Sequence, residues 1–218
     1  MSELSRALAD IQAIKAQLAR SAQFHGYGAG SVCATALLAL LAGLLQGIYL
    51  PDPVHQVELY LVLWVSTAGV ALLIIEVDAF TRAQRLHPDM AWRMFAAAGA
   101  QFLPAILGGV LLTGVLLVSC RASLWMLPGL WQLVFSLGVF SSCTLLPRAM
   151  PVVGVWYMAS GLMYLAGGQT GRALSPWAMA VPFAIGQLLV AAVLHLDHRD
   201  HRETDDRSRT PGHPSLRL

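Results

Sequence analysis

Three histidines, His195, His198 and His201, stand three residues apart near the end of the chain, with Asp197 and Asp200 between them. On a helix turning about 100° per residue they spread over about 120°, so one face can present all three imidazoles. Such a cluster can bind a divalent transition metal or gain charge as the pH falls toward about 6. Helical metal pairs favour the i,i+4 spacing of HExxH, which these residues lack. The surrounding stretch, "AVLHLDHRDHRE", also has a positional reading. "AVLHL" ends an apolar run, and "DHRDHR" is where the chain leaves lipid, its arginines holding it on one side. The positional role is the one expected, with no metal bound; His195, His198 and His201 are the weak metal candidates.

The other reactive side chains form no catalytic pattern. HExxH, GxSxG and a phosphate-binding glycine loop are all missing from the sequence. Ser141 and Ser142 have no histidine or acid near them in sequence. Cys33, Cys120 and Cys143 are scattered, odd in number and free of CxxC spacing, so they read as small hydrophobes. Glu76 follows "VALLII" directly and is the strongest candidate for an intramembrane acid. It reads as a carboxylate at the interface, with a proton or cation relay as the alternative. Gln101, Gln132 and Gln187, like Gln46, are neutral polar residues inside apolar runs, where they bond neighbouring helices more often than they line a path. The expectation is a protein that is not an enzyme, with no cofactor and no nucleic-acid partner.

These residues sit in an unusual background. Of the 218 residues 56% are hydrophobic and only 12% charged, against about 25% charged in a soluble domain. Lys15 is the single lysine among fourteen basic residues, a pattern typical of high-GC bacterial genomes. Six windows approach the roughly 20 apolar residues that a membrane span requires: 30–50, 57–77, 94–119, 123–146, 150–168 and 174–196. Helices are the structures that satisfy their own backbone in lipid, and the windows lack the alternation of barrel strands. The first run begins too far into the chain and runs too long for a cleavable leader, so it reads as a retained span. The fold expected is all-α: an integral membrane bundle of six transmembrane helices over residues 30–197, preceded by an N-terminal amphipathic helix.

Arg and Lys set the orientation. Twelve of them fall before the first window, between the second and third, between the fourth and fifth, and after the sixth; only Arg121 and Arg172 fall on the other side. Both termini are therefore expected in the cytoplasm, at the bacterial inner membrane. Tyr49, Tyr60, Trp92, Trp125 and Trp177 fit an interfacial aromatic belt. Within residues 1–29, Leu4, Ala7, Ile11, Ile14 and Leu18 form one apolar stripe of a helix that leads into "HGYGAGS". That helix lies on the membrane or protein surface, or pairs through residues 2–20 with a cytoplasmic partner or a second copy. The tail, 198–218, is polar and carries two prolines, which predicts disorder.

The first window carries Ser31, Thr35, Ala39, Gly43 and Gly47, small residues every fourth position, as a helix-packing face inside the monomer or at a dimer contact. Pro104 and Pro182 each lie about ten residues into a window and read as kinks rather than as marks of an inverted repeat. The run "SLWMLPGLWQLVFSLGVFSSCTLLPRAMPVVGVWYMASGLMYL", with the Trp-containing loop and last span behind it and "SAQFHGYGAGS" before the first span, resembles a family of uncharacterised bacterial multi-span inner-membrane proteins. The likeness covers most of residues 10–197 and implies the six-span topology, with no assigned activity; the "HLDHRDH" ending departs from the plain basic ending expected there. The leading functional expectation is a non-enzymatic membrane adaptor or accessory protein with a cytoplasmic partner; the alternative is a small-molecule or ion transporter or channel.

Overall fold

Each apolar window closes into a helix, as the absence of water within a bilayer requires. The computed structural model describes residues 28–86, 91–143, 147, 149–168 and 174–209, without the side chains of 29, 82, 83, 85, 86, 91–98 and 198–209. The amphipathic segment expected at 2–20 and residues 210–218 lie outside the described residues. The helices are α1 (Ala29–Tyr49), α2 (Val57–Leu86), α3 (Ala91–Ser119), α4 (Leu127–Ser142), α5 (Pro151–Ala166) and α6 (Pro176–Arg209). Every regular element among the described residues is helical, and the chain is an all-α, multi-pass membrane bundle.

Three boundaries differ from the sequence windows for identifiable reasons. The fourth span opens as a 3₁₀ helix, Arg121–Met126, before α4 begins. Pro128 has no N–H to return to Leu124, so the chain enters the α-helix afresh at its first turn. The fifth window forms only 16 residues of α5, about 24 Å of helix against a hydrocarbon core of about 30 Å. Five spans have full crossing length and α5 is the short one. The largest difference concerns α6. Disorder was expected from residue 198, but the helix continues unbroken through Arg209. The sequence of that extension places Arg199 and Glu203, Arg202 and Asp206, and Glu203 and Arg207 at i,i+4, which supports an exposed helix. Pro211 then disfavours helical geometry at Thr210.

Packing divides the helices into two groups. The spans of α1, α4 and α6 are 39–44% buried, whereas those of α2 and α3 are 11% and 6% buried. The tight group is α1, α4, α5 and α6, joined where side chains vanish. A Cβ on Gly129 would meet the Gly161 carbonyl oxygen at 2.9 Å, and one on Gly161 would meet the Gly129 oxygen at 2.8 Å, so α4 and α5 touch backbone to backbone. Gly43 of α1 abuts Ala180 of α6, and Gly186 of α6 abuts the Tyr157 ring of α5. Close approach of this kind is how helices gain dispersion energy in lipid, where burial of apolar surface gains nothing.

Two apolar clusters fix the direction of the chain. Val32, Met150, Val153, Ala191 and Leu194 pack at one end, hereafter the Gly28 end. Ala42, Val57, Leu124, Leu127 and Leu174 pack at the other, the Arg121 end. The start of α1 therefore lies beside the late part of α6, and the two run antiparallel.

Candidate functional site

The middle of the small-residue stripe of α1 packs against other helices of the same chain. Thr35 and Ala39 are buried, Gly43 meets Ala180, Ser31 is half-buried, and Gly47 is exposed. Successive fourth residues drift by about 40° around a helix, so by Gly47 the stripe has turned about 160° from Ser31. The face actually buried is Val32, Thr35, Ala36, Ala39, Ala42, Gly43 and Gln46, at 3 and 4 spacing.

At the Gly28 end the working carboxylate is Asp78. Its Oδ2 accepts from the Gly28 N–H at 2.9 Å and from the Ser31 hydroxyl at 2.8 Å. An acid from α2 thus closes on the start of α1, satisfying the Gly28 N–H and the Ser31 hydroxyl and complementing the helix dipole. Glu76, singled out by sequence, is half-buried two residues earlier and has no ion-pair partner among the described residues.

The densest polar contacts surround Gln46, which is fully buried. Its Nε2 donates to the Leu174 carbonyl at 2.6 Å, and its Oε1 accepts from Trp64 Nε1 at 2.7 Å. Leu174 is buried with φ of 57°, a left-handed backbone that costs a leucine about 1–3 kcal/mol. Gln46 pins the carbonyl of that strained residue. Tyr60 stacks against Trp131 with ring centres 6.3 Å apart, and Trp131 Nε1 donates to Thr113 Oγ1 at 2.8 Å. This knot ties α1, α2, α3, α4 and the approach to α6.

The three glutamines chosen from sequence do not converge. Gln132 is fully buried and its Nε2 donates to the Ala178 carbonyl at 2.9 Å. That carbonyl lacks its usual helical donor because residue 182 is proline. Gln187 lies against the Tyr157 hydroxyl and borders a lateral groove. Gln101 sits on α3, its Oε1 buried without a partner among the described residues. The described cavities are not lined by all three.

Two cavities are lined by the described residues around these groups. A cleft of about 410 Å³ at the Arg121 end is bordered by His55, Glu58, Arg121 and Trp125. Beside it His55 Nδ1 lies 2.7 Å from Asp52 Oδ2, and this side-chain hydrogen bond holds the Asp52 carboxyl below its ordinary 3.8. The second is the groove, about 750 Å³, between the α2–α3 pair and the tight group. Its walls are apolar apart from Glu76, Gln187, Thr35, Thr67 and Ser142.

His195 is exposed on α6; the side chains of His198 and His201 lie outside the described residues. Among the described residues no three His, Cys, Asp or Glu side chains gather within reach of one metal ion. The arrangement builds packing and capping. The capping role of Asp78 and the place of Leu174 have no signal in sequence, and Gln46 is legible there only as a polar residue that bonds a neighbouring helix, because the partners lie 47 and 128 residues away. No protein family, curated protein or solved structure matches this chain.

Proposed function

We propose that this chain is a non-enzymatic accessory protein of the bacterial inner membrane. Both termini face the cytoplasm, and they present residues 2–20 and the α6 extension to a partner protein. The observation that carries this reading is the course of α6. It leaves the apolar cluster at Leu194 and continues as a charged helix through Arg209, about 20 Å further. It does so at the end where α1 begins, on the same side of the bundle as Gly28. A helix held firmly in the bilayer by one half offers a fixed platform with the other, which lowers the ordering cost of binding.

The test is a crosslinked pull-down from native membranes with the full chain, with residues 1–22 removed, and with the chain ended after Asp197. Loss of the same recovered protein in either truncation is expected. Identical recoveries from all three would overturn the proposal, and recovery of tagged second copies alone would replace the partner with self-association.

A further inference from the structure

We propose that the lateral groove holds one acyl chain of an aminophospholipid from the leaflet at the Gly28 end, its ammonium group paired with Glu76. The groove exists because α2 and α3 stand away from the tight group, and its volume of about 750 Å³ lies within the about 300–1,000 Å³ usual for ligand sites. Its wall is formed mainly by apolar residues such as Ala68, Ala71, Ile106, Phe135 and Phe183, with Thr35, Thr67, Ser142 and Gln187 as its few polar groups besides Glu76.

Depth identifies the occupant. Along α2 the groove is lined from Ala79 to Trp64, about 22 Å at 1.5 Å per residue, of which about 18 Å lies below Glu76. Half of a hydrocarbon core is about 15 Å. Trp64 and Trp131 close the deep end, each held in place by a hydrogen bond, to Gln46 and Thr113. A partner's transmembrane helix crosses both leaflets and would meet that wall; a lipid chain belongs to one leaflet and ends there.

Charge identifies the headgroup. Glu76 is a half-buried carboxylate at the mouth, with no cation near it among the described residues. A carboxylate at membrane depth calls for a cationic partner. Phosphate is common to all phospholipids of the leaflet and does not discriminate among them. An ammonium group does, and an anionic glycerol headgroup is disfavoured beside Glu76.

The full-length protein is reconstituted in vesicles of equal dioleoyl phosphatidylethanolamine and dioleoyl phosphatidylglycerol, and retained lipid is read by native mass spectrometry. Wild type is expected to keep one phosphatidylethanolamine in preference. Glu76→Gln should cut that preference roughly fivefold, the scale of one partly desolvated charge pair. Ala71→Phe, which fills the groove, should lose both lipids. Chain-brominated phosphatidylethanolamine provides an independent reading: it should quench tryptophan emission more in wild type, where it reaches Trp64 and Trp131, than in Ala71→Phe, where only tryptophans facing bulk lipid remain accessible. Equal retention of the two lipids by wild type, or an unchanged preference in Glu76→Gln, overturns the proposal. So does a dimer that dissociates in Ala71→Phe with no lipid retained. Each readout is free of any cytoplasmic partner, so its failure and that of the accessory role are told apart.

Discussion

Single residues here matter through the groups they leave unpaired. Gln46 satisfies two otherwise orphaned partners, the Leu174 carbonyl and the Trp64 indole N–H. Gln46→Leu removes both bonds at once, and we expect a loss of about 2 kcal/mol, since interhelical polar bonds in bilayers run from about 0.6 to 1.7 kcal/mol each. Equilibrium unfolding in mixed micelles reads this directly, and a loss below a few tenths would show that the knot is ornamental. Tyr60 is the counterpart: it is fully buried, but its hydroxyl has no partner among the described residues. Tyr60→Phe should therefore leave stability unchanged or raise it slightly in the same assay. In the loop between α1 and α2, the hydrogen bond from His55 depresses the Asp52 carboxyl below 3.8. A depressed acid stabilises the fold above its unfolded value, and that contribution is lost as the pH falls through the lower folded value. Carboxyl NMR titration should find Asp52 below 3.8 in wild type and back at its ordinary value in His55→Ala.

At the scale of helices, the same substitution should have opposite effects depending on what faces it. Gly161→Ala drives a methyl group into the Gly129 carbonyl and must push α4 from α5, at about 1–3 kcal/mol. Gly108→Ala on α3 meets nothing within 4 Å and should gain up to about 1 kcal/mol from helix propensity. Thermal unfolding of the two variants in one detergent decides it; equal shifts would mean that the α4–α5 contact is looser than drawn. This contrast also shows what the sequence can and cannot tell. All six apolar windows were legible because lipid permits one backbone solution for a long uncharged run. The four-residue stripe of α1 was legible as a packing face, but its limit was not, because drift around the helix decides that Gly43 is buried and Gly47 exposed. The partners of Gln46 and Asp78 come from other helices, and no local pattern announces them. The α6 extension was misread because its polarity resembles disorder, whereas its i,i+4 charge spacing is a helical signal that composition alone conceals.

For the molecule as a whole, the short helix α5 raises a question of parity. Five crossings would place the chain's ends on opposite sides of the bilayer, and six would place them on the same side. Length alone favours five, because 16 residues of α5 fall short of a full span. Packing favours six. Met150 and Val153, at the start of α5, lie in the cluster with Val32 and Leu194. Leu165, near its end, lies against Gly129 at the start of α4, and Leu127 beside it belongs to the opposite cluster. The chain therefore traverses the bundle along α5, with its neighbours in the tight group covering a helix too short to satisfy lipid alone. The native cysteines test this without a reporter. Cys120 is exposed at the Arg121 end, while Cys33 and Cys143 pack against the cluster at the Gly28 end. With the proposed orientation, a membrane-impermeant maleimide added to cells with a permeabilised outer membrane should label wild type and fail to label Cys120→Ser. Tags at residues 1 and 218 should both resist external protease until the inner membrane is opened. Labelling of Cys120→Ser to the wild-type level would reverse the orientation, and one tag protected with the other cut would restore the odd count.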